Sequence, residues 1–435
     1  MMEQRSKLIK EWVERHRDEA VDLARKLVQI YSVNLPPNGS EAEHQQFVAD
    51  WMKEAGAEID KYELSEVPGL TEHPAYMKGR HYEGRPNVLG TFQGSGGGKS
   101  LIFSSHADTV FEGTEKWTHP PFEGVIEDGK LYGRGAYDMK GGLAASMMAV
   151  KCVRELGLPI AGNVFVESVI DEEHGGANGT LAGRLRGPAA DMAIIPEPTN
   201  LALYSAHLGG GIWKATFEGR SGIAFAGEVL ISALDASIAF AHMLKEFDAY
   251  RRHTIKAPAP WDASRMPEVS VTKIISGDTH REIMEKLPAS GEVQFWIDSF
   301  PGVTGEQVME SFMQFYDAHV YKYPDLLKCP PKITPLIRFL SASRMDERGL
   351  GGAFIRTVQD AGERMTGSQG EPIGAPFACD GFMFNLYSPT PALVLGPAGA
   401  NAHAADEYLD LDSYAALIGW YAEIIASWCG APDEA

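Results

Sequence analysis

GRGAYDMKGGLAASMMAVKCVRELGLPIAGNVFVESVIDEEHGG, residues 133–176, decides the fold class. A glycine-rich bend around Asp138 leads into small and apolar residues that repeat at helical spacing over 143–156. After a short loop comes NVFVESVI (163–170), a nearly continuous apolar run of strand length that ends on Glu172 and Glu173. A strand that follows a helix, is apolar throughout and leaves on charged residues belongs in a parallel sheet covered on both faces. Such sheets gather ligands at the carboxyl ends of their strands.

Outward from this stretch the same pattern recurs. NVLGTF (87–92) and SLIFSSH (100–106) read as strands on either side of a flexible hairpin turn, GSGGGK. The turn has the end of a phosphate loop, but Gln93 stands where the first glycine is required and a strand follows instead of a helix. Nucleotide binding is therefore excluded. MAIIPE (192–197) reads as another strand, and ALVLG (392–396) as an apolar run of the same kind. Leu8, Trp12, Val21, Leu23 and Leu27 mark one helix over about residues 5–30, and residues 41–55 a second. From His207 the pattern changes to a strand (GIWKATFEG), a long helix (229–249), strands at 268–276 and 290–298, and a helix opening near Thr304. That order suits a compact α+β insertion with an antiparallel sheet. The expected fold is α/β: a mixed, largely parallel sheet with helices on both faces from residues 1–206 and 342–435, and an inserted α+β lid from residues 207–341.

The 435 residues, 44% of them hydrophobic, are enough for two cores. A formal charge of −20 argues against nucleic acid, which needs a basic footprint. Cys152, Cys329, Cys379 and Cys429 lie far apart with no CxxC pair, so neither a zinc knuckle nor a disulfide framework is indicated. The charged amphipathic N-terminal stretch lacks the apolar core of a signal peptide, and no stretch approaches a membrane span. A cytoplasmic location and no membrane partner are the expectations.

Five segments carry the chemistry: SSHADTV (104–110), the bend at Asp138, VIDEEHGG (169–176), IIPEPT (194–199) and ANAHAADEY (400–408). They offer two imidazoles and several carboxylates but no thiol, a donor set for a pair of divalent cations bound through N and O. His106, Glu172, Glu197 and His403 each follow an apolar run. His106 and Asp108 lie two apart, so the Asp108 carboxylate can accept a hydrogen bond from the imidazole and fix its tautomer. Asp138 can give one oxygen to each of two metals. The side chains of Glu172 and Glu173 diverge, so that one can bind metal while the other faces the substrate. That second carboxylate can take a proton from metal-activated water and pass it to a leaving nitrogen.

These segments, together with WTHPPF (117–122) and GPAGANAHAADEYL (396–409), resemble the M20 family of dinuclear metallohydrolases, a group of deacylases, desuccinylases and carboxypeptidases. The resemblance implies that one metal takes His106, Asp138 and Glu197 and the other Asp138, Glu173 and His403. It implies Glu172 as general base and acid, Asp108 as the residue that orients His106, and a cis peptide at Asp138–Met139. Glu197, where members acting on a free amino terminus often have Asp, favours deacylase chemistry.

The inserted segment departs from the family. In FEGRSGIAFAGEV (217–229), Phe225, or Ile223 in a shifted alignment, stands where a histidine is expected to reach across a dimer and polarise the scissile carbonyl. Glu285 replaces an asparagine, and Trp296-Ile297-Asp298 replaces a D-x-R strand end. Losing one such donor costs about 10²–10³ in rate, which implies a changed substrate. Either His207 or His253 supplies the donor, or the substrate is an aromatic amine whose ring packs on Phe225, or the lid has lost catalysis. The retained Glu172 opposes the last. Asp380 and Cys379 lie in APFACDGFMF (375–384), where the family has a loop near the site, and Arg338 or Arg344 could hold a substrate carboxylate. The chain thus reads as a metal-dependent hydrolase that cleaves a C–N bond of a small carboxylate-bearing substrate, as a deacylase or amidohydrolase. Aromatic aminohydrolase, carboxypeptidase and, last, an inactive metal-binding protein are the alternatives. Two divalent ions (Zn, Mn or Co), a small-molecule substrate and a homodimer formed through the lid are the expected cofactors and partners.

Overall fold

The computed structural model describes residues 2–280 and 282–430. Two compact units divide the chain: Met1–Ala206 with Arg344–Ala375 and Cys379–Ala435, and His207–Ser343 with Pro376–Ala378.

The first unit is built on a mixed sheet. Its strands run in the order Glu58–Tyr62, Asn87–Phe92, Val164–Val169, Leu101–His106, Met192–Ile195, Ala392–Val394 and Tyr204–His207. The four from Val164–Val169 to Ala392–Val394 are parallel, and those outside them pair antiparallel. Every residue of those four strands is buried, which accounts for their lack of apolar–polar alternation; Ser104, Glu167 and Ser168 are buried with the rest. Helices Gly141–Glu155 and Leu411–Trp428 supply much of one core, joined by Gly349–Thr366 and the N-terminal helices. A smaller core, including Tyr62, Leu70, Ile170, Leu181 and Phe382, gathers short helices and the 64–82 segment.

Two local expectations give way. The N-terminal helix is two helices, Met2–Arg15 and Arg17–Gln29, because the His16 backbone leaves helical geometry (φ −107°, ψ 15°). The His16 ring stacks on Trp12 at 4.0 Å, and its Nδ1 lies 2.8 Å from the Trp12 carbonyl. Helical spacing did not reveal the break because both pieces bury residues in the same core. Nor is GSGGGK a hairpin turn: Val164–Val169 lies between the two strands that it joins. The turn packs on the chain entering that middle strand, with Ser95 and Gly96 N–H donating to the Ile160 and Ala161 carbonyls at 2.9 and 2.8 Å. A Cβ on Gly98 would sit 2.3 Å from the Gly162 nitrogen, so its glycine serves close packing.

The second unit is an antiparallel sheet in the order Val269–Ser276, Ser290–Ser299, Gly209–Glu218 and Lys332–Pro335. Helices Ala233–Thr254 and Gly305–His319 pack on it around Phe217, Phe240, Phe247, Phe295 and Phe312. The first helix starts at Ala233, later than expected, because Ser232 caps it by accepting from the Asp235 N–H. Thr304 and Gln307 form a reciprocal capping box on the second. Among the described residues no helix is long and apolar enough to cross a membrane.

Candidate metal centre

All six residues proposed for the metal chemistry lie in the first unit. His106 ends the strand Leu101–His106. Glu172 and Glu173 follow Val164–Val169, and Glu197 follows Met192–Ile195. Asp138 sits in the bend ahead of helix Gly141–Glu155, with a cis peptide to Met139. His403 lies in the turn between the short strands Gly399–Ala400 and Tyr408–Asp410, at φ +64°.

The bend places Asp138 between two imidazoles. Its Oδ1 is 3.2 Å from His106 Nε2, and its Oδ2 is 3.2 Å from His403 Nε2. Glu197 Oε1 approaches His106 Nε2 at 3.8 Å, and Glu173 Oε2 approaches His403 Nε2 at 3.0 Å. Donor atoms of His106, Asp138 and Glu173 lie close enough together to share one ion. Asp138 thus lies between His106 with Glu197 on one side and His403 with Glu173 on the other, and the trio close enough to share an ion draws on both sides.

Electrostatics supports a cation in this donor set. Burial and then the Asp380 charge push the Glu172 carboxyl well above the usual range; burial and then Asp138 do the same to Glu197. Burial opposes charge on His106, yet the hydrogen bond to Asp138 and the Glu197 charge hold it well above the ordinary imidazole range. His403 is raised to about 12, first by the Glu173 charge, against burial and with help from Asp138. Burial also disfavours an ionised Asp138, but its bonds to His106 and His403 prevail and hold it below the ordinary range. Carboxylates this crowded keep protons or borrow them from imidazole unless other positive charge is supplied. A divalent cation held among these donors would supply it.

The partner of His106 differs from expectation. Its Nδ1 donates to the backbone carbonyl of Asp108 at 2.8 Å, while the Asp108 carboxylate oxygen is 3.8 Å away. The carbonyl still fixes the tautomer and turns Nε2 toward Asp138. The carboxylate is engaged elsewhere: it accepts from the Glu172 and Glu173 N–H groups at 3.1 and 3.0 Å and from Asn34 Nδ2 at 2.7 Å. Asp108 therefore braces two metal-site segments, one through each end of its residue.

Of the remaining candidates, Asp380 is buried in the first unit, accepts a hydrogen bond from the Thr180 hydroxyl and adds its charge to those near Glu172 and Glu197. His207 is buried, with Nδ1 donating to the Leu208 carbonyl at 2.8 Å and Nε2 2.8 Å from the Ser343 hydroxyl, and burial lowers its pKa to about 4. Phe225 lies in the second unit and is 88% exposed.

Glu407 escaped the sequence reading, although it stands inside the ANAHAADEY segment. Fully buried, it accepts from the Tyr137 and Asp138 N–H groups, each at 3.0 Å, and from Arg134 at 2.7 Å. It ties the His403 turn to the Asp138 bend. Glu407→Gln is expected to weaken metal affinity by about 10–100-fold, measured by competition with a chromogenic chelator. Wild-type affinity would show that the bend holds its own shape.

The model for peptidase family M20/M25/M40 matches residues 102–427. N-formyl-4-amino-5-aminomethyl-2-methylpyrimidine deformylase of Bacillus subtilis is 25% identical, and the alignment covers 100% of both chains. Succinyl-diaminopimelate desuccinylase of Methylobacterium radiotolerans is 34% identical over 188 residues, 42% of this chain and 43% of that one. Among solved structures, a di-peptidase of Saccharomyces cerevisiae superposes over 100% of both chains with a TM-score of 0.74 at 16% identity. Human carnosine dipeptidase 1 does so over 98% of both chains with a TM-score of 0.73 at 14% identity. These structural likenesses speak for the fold. Since one family model runs unbroken from the strand that ends on His106 past the turn that carries His403, the chain belongs to peptidase family M20/M25/M40 and is a metal-dependent hydrolase of C–N bonds.

Proposed function

We propose that the chain is a deacylase that holds two divalent ions and releases a small acyl group from an amine. His106, Asp138 and Glu197 would hold one ion, and Asp138, Glu173 and His403 the other, with Zn, Mn and Co all suited to N and O donors. Bound there, the ions supply Lewis acidity to the scissile carbonyl and to water. Glu172 takes the proton of the attacking water and delivers it to the leaving nitrogen. Burial and the Asp380 charge raise its pKa, the direction that favours uptake of that proton. What supports the reading most is Asp138, whose two oxygens each face a different imidazole at 3.2 Å.

For the acylated amine, the end-to-end alignment with the deformylase favours an N-formyl aminomethylpyrimidine. The charges of the first unit agree. Arg80, Arg85 and Arg134 bond to Asp171, Glu41 and Glu407, and Lys140 donates to the Leu27 and Ile30 carbonyls. A basic amine suits the acidic surroundings of Glu172 and Asp380. The desuccinylase match favours a second class, N-acyl amino acids, whose carboxylate would need a cation other than these four. A panel of the formylated pyrimidine, N-succinyl and N-acetyl amino acids, dipeptides and amino-aromatic acids, assayed with Mn²⁺, Zn²⁺ or Co²⁺, tests the assignment. The expected result is kcat of about 1–10³ s⁻¹ on the formamide. Turnover of dipeptides or amino-aromatic acids alone would overturn it.

The second unit is proposed as a lid through which two chains pair. Phe225, Ile283, Val229 and Ile223 are each exposed there, at 88%, 73%, 68% and 54%. Sedimentation should report a dimer that Val229→Asp with Ile283→Asp converts to monomer; a wild-type monomer would contradict the assignment. Four buried free cysteines suit a reducing cytoplasm, and the charge of −20 suits a small-molecule partner over nucleic acid.

A further inference from the structure

Glu172 differs from its neighbour Glu173 in what holds it. The Glu173 carboxylate is tethered by the Val110 N–H at 3.3 Å and by His403. Among the described residues no hydrogen bond from the protein reaches the Glu172 carboxylate, so the held part of this residue is its backbone, through the N–H that donates to Asp108 at 3.1 Å. That backbone is unusual. Asp171, immediately before it, is a non-glycine residue at φ +68°, in the left-handed region that L-residues other than glycine disfavour. Such a conformation persists only where surrounding contacts impose it.

The contacts here are dense and charged. The Asp171 carboxylate is fully buried and takes Arg80 Nε on both oxygens (3.1 and 2.9 Å) as well as Arg80 Nη2. It also accepts from the Tyr82 hydroxyl at 2.7 Å, from Asn34 Nδ2 at 2.8 Å and, more weakly, from Arg85 at 3.4 Å. The same Asn34 Nδ2 donates to Asp108, whose carboxylate holds the Glu172 and Glu173 amides, while Asn34 Oδ1 accepts from Arg80 Nη2 at 2.5 Å. Two carboxylates thus grip three consecutive residues, and Asn34 locks one to the other. Arg80 is the cation that lets them lie together out of water.

Arg80 and Tyr82 come from residues 67–86, a long stretch without regular secondary structure. It is fastened by Asn178, which exchanges hydrogen bonds with the Met77 backbone at 2.8 and 2.7 Å and donates to the Tyr82 hydroxyl at 2.7 Å. A loop of this length inside a compact unit is generally kept for a purpose.

We propose that Arg80 is a positioning residue for the reaction: by clamping Asp171 in its left-handed conformation it aims the Glu172 carboxylate at the attacking water. A displacement of about 1 Å at a reacting group costs about 10²-fold in rate. The hydrogen bonds of Arg80 go to Asp171, Asn34 and the Asn38 carbonyl and to none of the proposed metal ligands, so its loss should spare metal binding and act on kcat.

The test rests on the deacylase reading only for its kinetic arm. Arg80→Met, Arg80→Lys and the double variant Arg80→Met with Asp171→Asn are compared with wild type. The double variant removes both buried charges and keeps the fold testable if the single one is unstable. Amide exchange of the peptide covering residues 165–178, followed by mass spectrometry, needs no substrate. It is expected to quicken at least about tenfold in Arg80→Met and in the double variant and to recover in part in Arg80→Lys. On whichever panel compound the wild type turns over, kcat is expected to fall about 10²-fold with KM within about threefold and metal content unchanged. Exchange at the wild-type rate in a folded variant overturns the clamp even if no substrate is found. So does kcat within about threefold of wild type, or a kcat loss that merely follows lost metal.

Discussion

Glu172→Gln is expected to lower kcat by about 10²–10⁴-fold, the usual worth of a positioned acid–base group, with both metal ions retained. Glutamine keeps the size of the side chain and removes its ability to take a proton. The surrounding bonds survive, because the Glu172 residue is held through its N–H, which donates to Asp108 at 3.1 Å. The substitution also relieves a burden, since burial and the Asp380 charge disfavour an ionised carboxylate at this position. A variant at least as stable as wild type yet nearly inactive is therefore the expected combination. Stopped-time kinetics with metal analysis on the same sample checks it, and wild-type kcat would remove Glu172 from the proposed mechanism.

Asp138→Ala should be at least as damaging, by a different route. One carboxylate serves both ligand groups, so its removal is expected to cost each ion more than the about 10–100-fold that outer partners alone are worth. Stability separates this from simple misfolding. Wild type with free metal at about 100 times its Kd gains about 2.7 kcal/mol over the metal-free form, whereas Asp138→Ala should gain almost nothing. In chelator the variant should lose some stability as well, because Asp138 pairs with both the His106 and His403 imidazoles, so the metal-dependent gain is the readout that isolates the ligand role. Urea unfolding with and without metal measures both quantities.

How much of this was legible in the sequence follows from where the information sits. The strands that end on His106, Glu172 and Glu197 announced themselves because each is buried on both faces and so carries no polar alternation. The donor set was legible for the same reason: charged residues directly after such strands have few structural explanations. What the sequence could not show was who holds whom. Asp108 was assigned to the His106 imidazole on a spacing of two, but the backbone carbonyl reaches that ring, and the carboxylate is free for two amides. Spacing locates residues and says little about which oxygen faces which donor. Asn34 and Arg80 carried no signal, since both reach the site from far away in the chain, at separations of 74 residues to Asp108 and 91 to Asp171. The strand order failed at GSGGGK for a related reason: a glycine-rich turn between two strands looks like a hairpin until a third strand is seen between them.

Anomalous diffraction from crystals grown with Mn²⁺, Zn²⁺ or Co²⁺ would examine the arrangement at its root. Two peaks are expected, one among His106, Asp138 and Glu197 and the other among Asp138, Glu173 and His403, with an oxygen of Asp138 on each. A single peak that leaves one imidazole without an ion, or none at Asp138, would contradict the account.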